Sequence, residues 1–372
     1  MIETRAPGKL YIAGEYAVVE PGEPAVLVAV DRCLVVRLAE AADSGRVRSS
    51  AYGPTPRVWV RDPGSGRVIV ESEPLDYVLS AIATVDQLRA ERGLPPRYFD
   101  LDISSELDDA DGRKFGLGSS AAVTVAVVAA LDAFYGLDLD AMQRFRLAVL
   151  ATVEISTRGS GGDLAASTFG GWIRYASPDR EALRAHRAEH GVSSALSCDA
   201  WDRCEVTPLP SPAGLRLLVG WTGSPASTER LVAEVTGTGA GSAEEEGAFL
   251  EASRGCVDEL VRGIETGAAT AALAAVRRSR RLLQGLGASR GIRIETGQLR
   301  DLCEIAERHG AAAKPSGAGG GDCGIVLAPA DLDSSGILRE WEAHDILRLP
   351  LAVGTAAEAV RATPAPFGGA DG

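Results

Sequence analysis

The chain has 372 residues, of which 45% are hydrophobic and 24% charged, a composition typical of a folded globular protein and not of a disordered or membrane-embedded one. A net charge of −13 argues against nucleic acid or an anionic membrane as a general partner, because phosphate backbones attract lysine and arginine. Any anionic ligand must therefore bind in a local basic pocket.

The sequence carries no signal for export or membrane insertion. No apolar secretory core follows Met1, and the longest largely apolar run, Ala121 to Leu131, is too short to span a bilayer. Six cysteines are scattered without the spacings of a zinc site or a disulfide framework. We expect a cytoplasmic protein with reduced thiols, either a monomer or a homodimer.

The first elements in chain order are strands. Val26 to Leu38 is rich in Val and Leu and is interrupted by Asp31-Arg32, which predicts sheet strands. A turn at residues 62–66, Asp-Pro-Gly-Ser-Gly, predicts a hairpin. A helical pattern over Leu75 to Arg92 stops at Gly93, which is followed by two prolines.

The next segment alternates apolar and polar residues from Phe99 to Ile103, which predicts a strand. An acidic loop, a glycine-rich turn and a long apolar helix follow it. From Gly171 to about Pro212 the sequence is polar and indicates irregular structure. Because the chain is long for one core, we place a domain boundary here and predict an N-terminal domain of residues 1–205 and a C-terminal domain of residues 206–372.

The second half begins with a strand at Leu215 to Trp221. Helical stretches follow around Ala243 to Leu286 and at Glu295 to His309, and a strand is predicted at Gly324 to Leu327. Strands and helices segregate unevenly along the chain, which favours an α+β fold over a doubly wound sheet.

The turn Gly116-Leu117-Gly118-Ser119-Ser120 leads directly into the apolar helix. Free backbone N–H groups and the positive end of the helix dipole converge there, which suits a phosphate. Glycines permit close approach of the backbone, and the serine hydroxyls can cap the helix or reach a magnesium ion. Taken alone, an ordinary glycine turn explains the same residues equally well.

A second glycine loop spans Ser316 to Gly324 and satisfies the pattern G-x-G-x-x-G at Gly319, Gly321 and Gly324. It follows a helix and enters a strand, which is the reverse of the order in a dinucleotide-binding fold. The P-loop motif is absent too, because Leu10 follows Gly8-Lys9 where that motif needs Ser or Thr.

Three segments in fixed order resemble the GHMP kinase superfamily: Pro7 to Tyr16, Gly116 to Ala121, and Ser316 to Gly324. The resemblance implies a two-domain α+β fold, with an N-terminal domain similar to domain 2 of ribosomal protein S5 and a ferredoxin-like C-terminal domain. It also implies that residues 1–205 bind ATP, with Mg²⁺ as the accompanying ion.

Within the superfamily the chain resembles the phosphomevalonate kinase family. The likeness is carried by Gly14-Glu15-Tyr16, Lys114-Phe115, Trp221 to Thr228, and Lys314 to Gly324. It implies transfer of the γ-phosphoryl group of ATP onto the phosphate of 5-phosphomevalonate. A kinase of another small alcohol, such as mevalonate or homoserine, and a non-catalytic ATP-binding sensor remain as alternatives.

The resemblance also assigns candidate site residues by their roles. Catalysis is assigned to Lys9 and Asp163, and the metal ion to Ser120 and Glu154. The ATP-binding candidates are Lys114, Gly116, Leu117, Gly118, Ser119 and Ser120. The substrate-binding candidates are Glu15, Tyr16, Ser160, Gly161, Gly319, Gly320 and Gly321.

The chemistry suggests how the two catalytic candidates act. A phosphate nucleophile has a second pKa of about 6 and is already largely ionised at neutral pH, so it hardly needs a general base. An anionic Asp163 beside two phosphates would repel them unless it were paired. We therefore expect Lys9 to pair with Asp163 and to be the more important of the two.

Two of the assignments have plainer alternatives, and one further basic segment is left unassigned. Glu154 also fits a carboxylate on a helix surface, and Lys114 also fits a solvent-exposed position on a loop. The basic run Arg277 to Arg281 has arginines at i, i+4 spacing and could clamp a phosphate, but a solvated helix face is favoured, and we leave it out of the site.

Overall fold

A computed structural model describes residues 1–64, 66–70, 76–109, 111–224, 231 and 243–361. Two sheets organise these residues; nearly all of their strand pairs are antiparallel, and helices pack against both sheets. This is the α+β two-domain arrangement predicted from the sequence. The predicted turn residue Ser65, the motif residues 225–228 and the C-terminal tail from residue 362 lie outside the described residues.

Among the described residues, the larger sheet has nine strands. They are β1 (Ile2–Ala13), β2 (Pro24–Ala41), β3 (Gly45–Ser49), β4 (Arg57–Arg61), β5 (Val68–Val70), β6 (Tyr98–Ser105), β7 (Trp172–Ala176), β8 (Glu205–Leu209) and β13 (Glu358–Arg361). Seven of them run in the order β13-β1-β2-β6-β3-β4-β5, while β7 pairs with β2 and β8 with β7. The pairing is antiparallel except between β3 and β6. The hairpin predicted at residues 62–66 is present, because Arg61 pairs with Val68.

Five helices accompany this sheet: α1 (Tyr77–Glu91), α2 (Ser119–Tyr135), α3 (Ala141–Val153), α4 (Gly162–Phe169) and α5 (Arg180–Ala195). Helix α2 is apolar on all sides and buries most of its length against β1, β2 and its neighbouring helices, as expected for a helix inside a core. The hydroxyl of Thr4 in β1 donates to the carbonyl of Ala126 in α2 at 2.8 Å. This bond ties the middle of α2 to β1.

The smaller sheet has the order β10-β11-β9-β12 among the described residues and is antiparallel throughout. Its strands are β9 (Leu215–Trp221), β10 (Ala312–Pro315), β11 (Cys323–Pro329) and β12 (Leu347–Leu349). The helices packed on it are α7 (Ala269–Arg290), α8 (Gly297–Arg308) and α9 (Ser335–Ala343), while α6 (Ala243–Glu265) packs on α7 and on strands of the larger sheet. None of the described helices is both long and apolar enough to cross a membrane.

The sequence suggested irregular structure from Gly171 to about Pro212, and this prediction is wrong. The segment forms β7, α5 and β8. Helix α5 was missed because its apolar stripe is thin: beside Leu183, Val192 and Ala195, its buried positions are the arginines Arg180 and Arg187. The predicted division at residue 205 falls on the first residue of β8, and β13 returns from the C-terminal half to pair with β1. The division of the chain into two domains at that residue stays a prediction.

One irregularity in the larger sheet prepares the site. The β1–β2 ladder shifts register between Pro7 and Lys9, which is the mark of a bulge, and bulges re-aim the side chains beside them. The backbone N–H of Lys9 donates to the carbonyl of Leu117 at 2.9 Å. Strand β1 is thus joined directly to the glycine-rich turn that precedes α2.

Candidate active site

A cavity of about 570 Å³ lies where β1 and the first turns of α2 and α4 meet the second glycine loop. Most of the predicted site residues line it: Lys9, Glu15, Tyr16, Lys114, Gly116, Leu117, Gly118, Ser119, Ser120, Ser160, Gly161 and Asp163. Glu154 and the three glycines 319–321 are not among the lining residues. The wall carries four basic residues, Lys9, Lys114, Arg158 and Arg180, and three acidic ones, which makes it far less acidic than the chain as a whole.

The first glycine loop has the geometry expected of a phosphate site. Gly116 and Gly118 both have φ +81, a left-handed conformation that favours glycine. Helix α2 starts at Ser119, and no side chain caps its first turn. Ala121 and Ala122 donate to the carbonyl of Gly118, so the N–H groups before them are available to a ligand at the positive end of the helix.

Both glycines are also required by close contacts with charged residues. A Cβ at Gly116 would lie 2.6 Å from the Cβ and Cγ of Asp322 in the second glycine loop. A Cβ at Gly118 would lie 2.9 Å from the Cε of Lys9. The two glycines therefore let one acidic and one basic side chain lie directly on the turn.

Lys9 does not form the predicted pair with Asp163 among the described residues. Its Nζ instead donates to the carbonyl of Gly116 at 3.3 Å and lies 5.4 Å from the centre of the Tyr11 ring. The side chain is nearly buried. The bulge in β1 directs it along the first glycine loop, towards the place where phosphates would bind, and not across the cavity.

The opposite wall is built around Ser160. Its hydroxyl is 2.7 Å from the hydroxyl of Tyr11, and its carbonyl accepts a hydrogen bond from Tyr175 at 2.6 Å. Burial, with Asp163 as a further contributor, raises the pKa of Tyr11, and burial is also the main reason that the pKa of Tyr175 is raised. Both tyrosines therefore stay neutral and hold Ser160 and the first turn of α4, where Asp163 lies, in place.

The carboxylate of Glu15, which was predicted to bind substrate, is already paired with a lysine. It forms an ion pair with Lys314 of β10, and the two side chains are 2% and 0% exposed. Lys314 also donates to the carbonyl of Pro315 at 2.7 Å. Because Glu15 follows β1 and Lys314 lies in the smaller sheet, this pair joins the two halves of the fold beneath the cavity.

Two further links run beside that ion pair. The hydroxyl of Tyr16 donates to the carbonyl of Ala318 at 2.6 Å, and Ser316 exchanges hydrogen bonds with the backbone of Tyr11 at 2.9 and 3.1 Å. Tyr16 has φ +64, a conformation that costs a non-glycine residue about 1–3 kcal/mol. Tyr16 lines the cavity, but its hydroxyl serves to hold the second glycine loop.

Gly319, Gly320 and Gly321 form the tight part of that loop and not its cavity face. A Cβ at Gly319 would lie 2.2 Å from the carbonyl of Ile294, and one at Gly321 would lie 2.2 Å from that of Ser224. The residues that face the cavity are Gly317, Ala318 and Asp322. The close contacts of these glycines are with Ile294 and Ser224, which fits a role in shaping the second loop. Substrate binding by Gly319, Gly320 and Gly321 stays a prediction.

Only one of the two predicted metal ligands lines the cavity. Ser120 lines the cavity, whereas Glu154 caps α3 and lies 3.5 Å from Arg187. Within the described part of the chain, no three His, Cys, Asp or Glu side chains cluster as a metal site. A magnesium ion held mainly by substrate phosphates and water fits Ser120 at the start of α2. Glu154 as its partner stays a prediction.

Sequence reasoning missed several lining residues: Tyr11, Thr152, Ser156, Arg158 and Arg180. Arg158 and Ser156 lie within a few residues of the Ser160 to Asp163 motif, which could have pointed to them. Arg180 has no such signal, because it is distant from every motif and begins a polar helix.

Comparisons with known proteins agree with this geometry. Residues 76–171 match the family GHMP kinases N terminal domain, and residues 264–346 match GHMP kinases C terminal. A phosphomevalonate kinase from Streptomyces sp. strain CL190 is 48% identical over 365 residues, which cover 94% of this chain and 96% of the relative.

Two solved structures are similar over nearly the whole chain. A Lin0012 protein from Listeria innocua has a TM-score of 0.90 and 31% identity, covering 97% of this chain and 99% of its own. Streptococcus pneumoniae phosphomevalonate kinase in complex with phosphomevalonate and AMPPNP has a TM-score of 0.82 and 30% identity, covering 95% and 100%. The chain belongs to the GHMP kinases. Within them, it is a member of the phosphomevalonate kinase family.

The buried ion pair gives a stability prediction. Removing one member of a buried pair leaves an uncompensated charge and costs about 3–5 kcal/mol, so Lys314→Met and Glu15→Gln should each lower the free energy of unfolding by about that amount. Urea denaturation of the purified variants measures it. The matched control is Arg278→Met, which breaks the exposed pair with Glu259 and should cost about 1 kcal/mol or less. Equal losses in Lys314→Met and Arg278→Met would contradict the role given to the buried pair.

The contact between the two glycine loops gives a binding prediction. In Gly116→Ala the new methyl would displace Asp322 and the second loop, so the affinity for AMPPNP should fall by roughly 10- to 100-fold. Titration calorimetry measures it. Gly112→Ala is the matched control, because Gly112 has φ +77 and no other heavy atom lies within 4 Å of its Cβ position. If both variants lost affinity equally, backbone strain and not the loop contact would be responsible.

Proposed function

We propose that the protein transfers the γ-phosphoryl group of ATP to the phosphate of 5-phosphomevalonate, giving 5-diphosphomevalonate and ADP, in the mevalonate pathway of isoprenoid biosynthesis. The observation that carries this proposal is a cavity with the first glycine loop on one side and a second polar wall on the other. The full-length identity to a phosphomevalonate kinase supports the choice of acceptor.

Positioning and charge neutralisation supply most of the catalysis in phosphoryl transfer. The β- and γ-phosphates of ATP would bind the N–H groups of the first glycine loop. Lys9, which lies along that loop, would neutralise negative charge on the phosphate oxygens between ATP and the acceptor. Asp322, pressed against Gly116, keeps the second loop on the first.

The acceptor phosphate needs little activation, because its second pKa is about 6. Asp163 is therefore not required as a general base in this proposal. It would act through its charge, by interacting electrostatically with the buried Arg180 and by orienting the groups around Ser160. The residues present fit a magnesium ion bound by the phosphates and by Ser120. When bound, that ion would neutralise phosphate charge. The expected location of the enzyme is the cytoplasm.

Turnover with a panel of acceptors tests the assignment. ADP release is measured with magnesium-ATP and, separately, 5-phosphomevalonate, mevalonate, homoserine and galactose. We expect turnover with 5-phosphomevalonate, because the cavity offers cationic groups for an acceptor with an anionic group at each end. Turnover of mevalonate alone would contradict the assignment. ATP binding without turnover of any acceptor would instead indicate the non-catalytic sensor.

The relative importance of Lys9 and Asp163 is a separate prediction. Lys9→Ala should lower kcat by about 100- to 1,000-fold, the loss typical when one charge-stabilising group is removed. Asp163→Asn should lose less than the roughly 100-fold or more that a general base contributes. Steady-state kinetics with 5-phosphomevalonate compare the two variants, and a cooperative urea denaturation curve confirms that each is folded. A greater loss in Asp163→Asn would show that a base is needed after all.

A further inference from the structure

Arg180 is a buried cation that faces the cavity with unused hydrogen-bonding capacity. It is the first residue of α5 and is 6% exposed. Its Nη2 donates to the hydroxyl of Thr152 and to the carbonyl of Ser156, both at 2.9 Å. Its Nη1 and Nε are buried and have no hydrogen-bond partner among the described residues.

A buried guanidinium without a partner lowers the stability of the folded protein unless an anion binds it. The guanidinium stays charged in proteins, and a buried charge is normally paired because desolvation costs several kcal/mol. Asp163 acts on Arg180 electrostatically, but the two form no ion pair among the described residues. An anion in the cavity would supply the missing partner.

The place of Arg180 along the wall decides which anion this is. Its Nη1 lies 3.4 Å from the Cβ position of Gly161, next to Ser160. The hydroxyl of Ser160 contacts that of Tyr11, and Lys9 lies over the Tyr11 ring and bonds to the first glycine loop. Lys9 and Arg180 therefore stand at opposite ends of one wall, with Lys9 at the end where phosphoryl transfer would occur.

We propose that Arg180 binds the carboxylate of the acceptor through Nη1, and that this contact directs the phosphorylated end of the same molecule towards Lys9. The proposal rests on the proposed function and adds a specificity-determining residue to it. An acceptor with an anion at each end satisfies both cations at once. An acceptor that lacks the carboxylate would leave Arg180 buried and unpaired.

The test pairs a variant with a modified ligand. Binding of 5-phosphomevalonate and of its carboxamide analogue, which lacks only the carboxylate charge, is measured by titration calorimetry without ATP. The wild type should bind the acid at least roughly 30-fold more tightly, as expected for a buried charge-assisted contact. In Arg180→Met the acid should weaken until the two ligands bind within about threefold of each other, while AMPPNP affinity is unchanged.

Two other variants guard the interpretation. Arg146→Met is the matched control, because Arg146 also has a buried Nε without a partner in the described structure but lies away from the cavity. It should keep the full preference for the acid. Arg180→Lys retains a charge on a shorter, unforked side chain and should keep only part of the preference, which leaves a test if the Met variant fails to fold.

Several outcomes would overturn the proposal. One is an equal loss of affinity for the acid and the amide in Arg180→Met, which would place Arg180 at the phosphate or in a structural role. The others are an unchanged preference for the acid in Arg180→Met and a full preference for the acid in Arg180→Lys. Failure of the proposed function is distinguishable. If the wild type does not phosphorylate 5-phosphomevalonate, the same acid and amide comparison applies to the acceptor that it does use, since mevalonate and homoserine also carry a carboxylate.

Discussion

The structure depends on the ion pair between Lys314 and Glu15, which is withdrawn from water almost completely. A lysine with no exposed surface is unfavourable by several kcal/mol unless its charge and its N–H groups are satisfied. Here the carboxylate that satisfies it comes from the segment just after β1 of the larger sheet, 299 residues earlier in the chain. The pair therefore favours docking of the smaller sheet with β10 near the end of β1.

That docking fixes the relation between the two glycine loops. Residues just after Lys314 bond to Tyr11 and Tyr16, and the loop that they begin places Asp322 on Gly116. The site is thus assembled from segments that are each local in sequence but meet through one long-range constraint. Interactions of this kind give the precision that phosphoryl transfer needs, because small misplacements of reacting groups are costly in rate.

The sequence predicted the parts that are governed by local chemistry. The first glycine loop, the strand before it and the helix after it follow from the residues at 99–135, because left-handed turns need glycine and buried helices are apolar.

The sequence did not predict the partners of individual side chains. Lys9 was paired with Asp163 on charge alone, but a bulge in β1 directs it to Gly116 instead. Arg180 was overlooked because its role depends on how α3, α4 and α5 pack, which no short pattern encodes. Likewise, the glycines at 319–321 reveal their packing role only where Ile294 and Ser224 lie against them.

The most direct test is a crystal structure of the protein with 5-phosphomevalonate and AMPPNP bound together. We expect the γ-phosphate of the nucleotide analogue on the N–H groups around Ser119 and Ser120, and the acceptor phosphate between it and the Nζ of Lys9. The acceptor carboxylate should lie within hydrogen-bond distance of the Nη1 of Arg180. An acceptor bound with its carboxylate towards the first glycine loop, or bound outside this cavity, would contradict the arrangement described here.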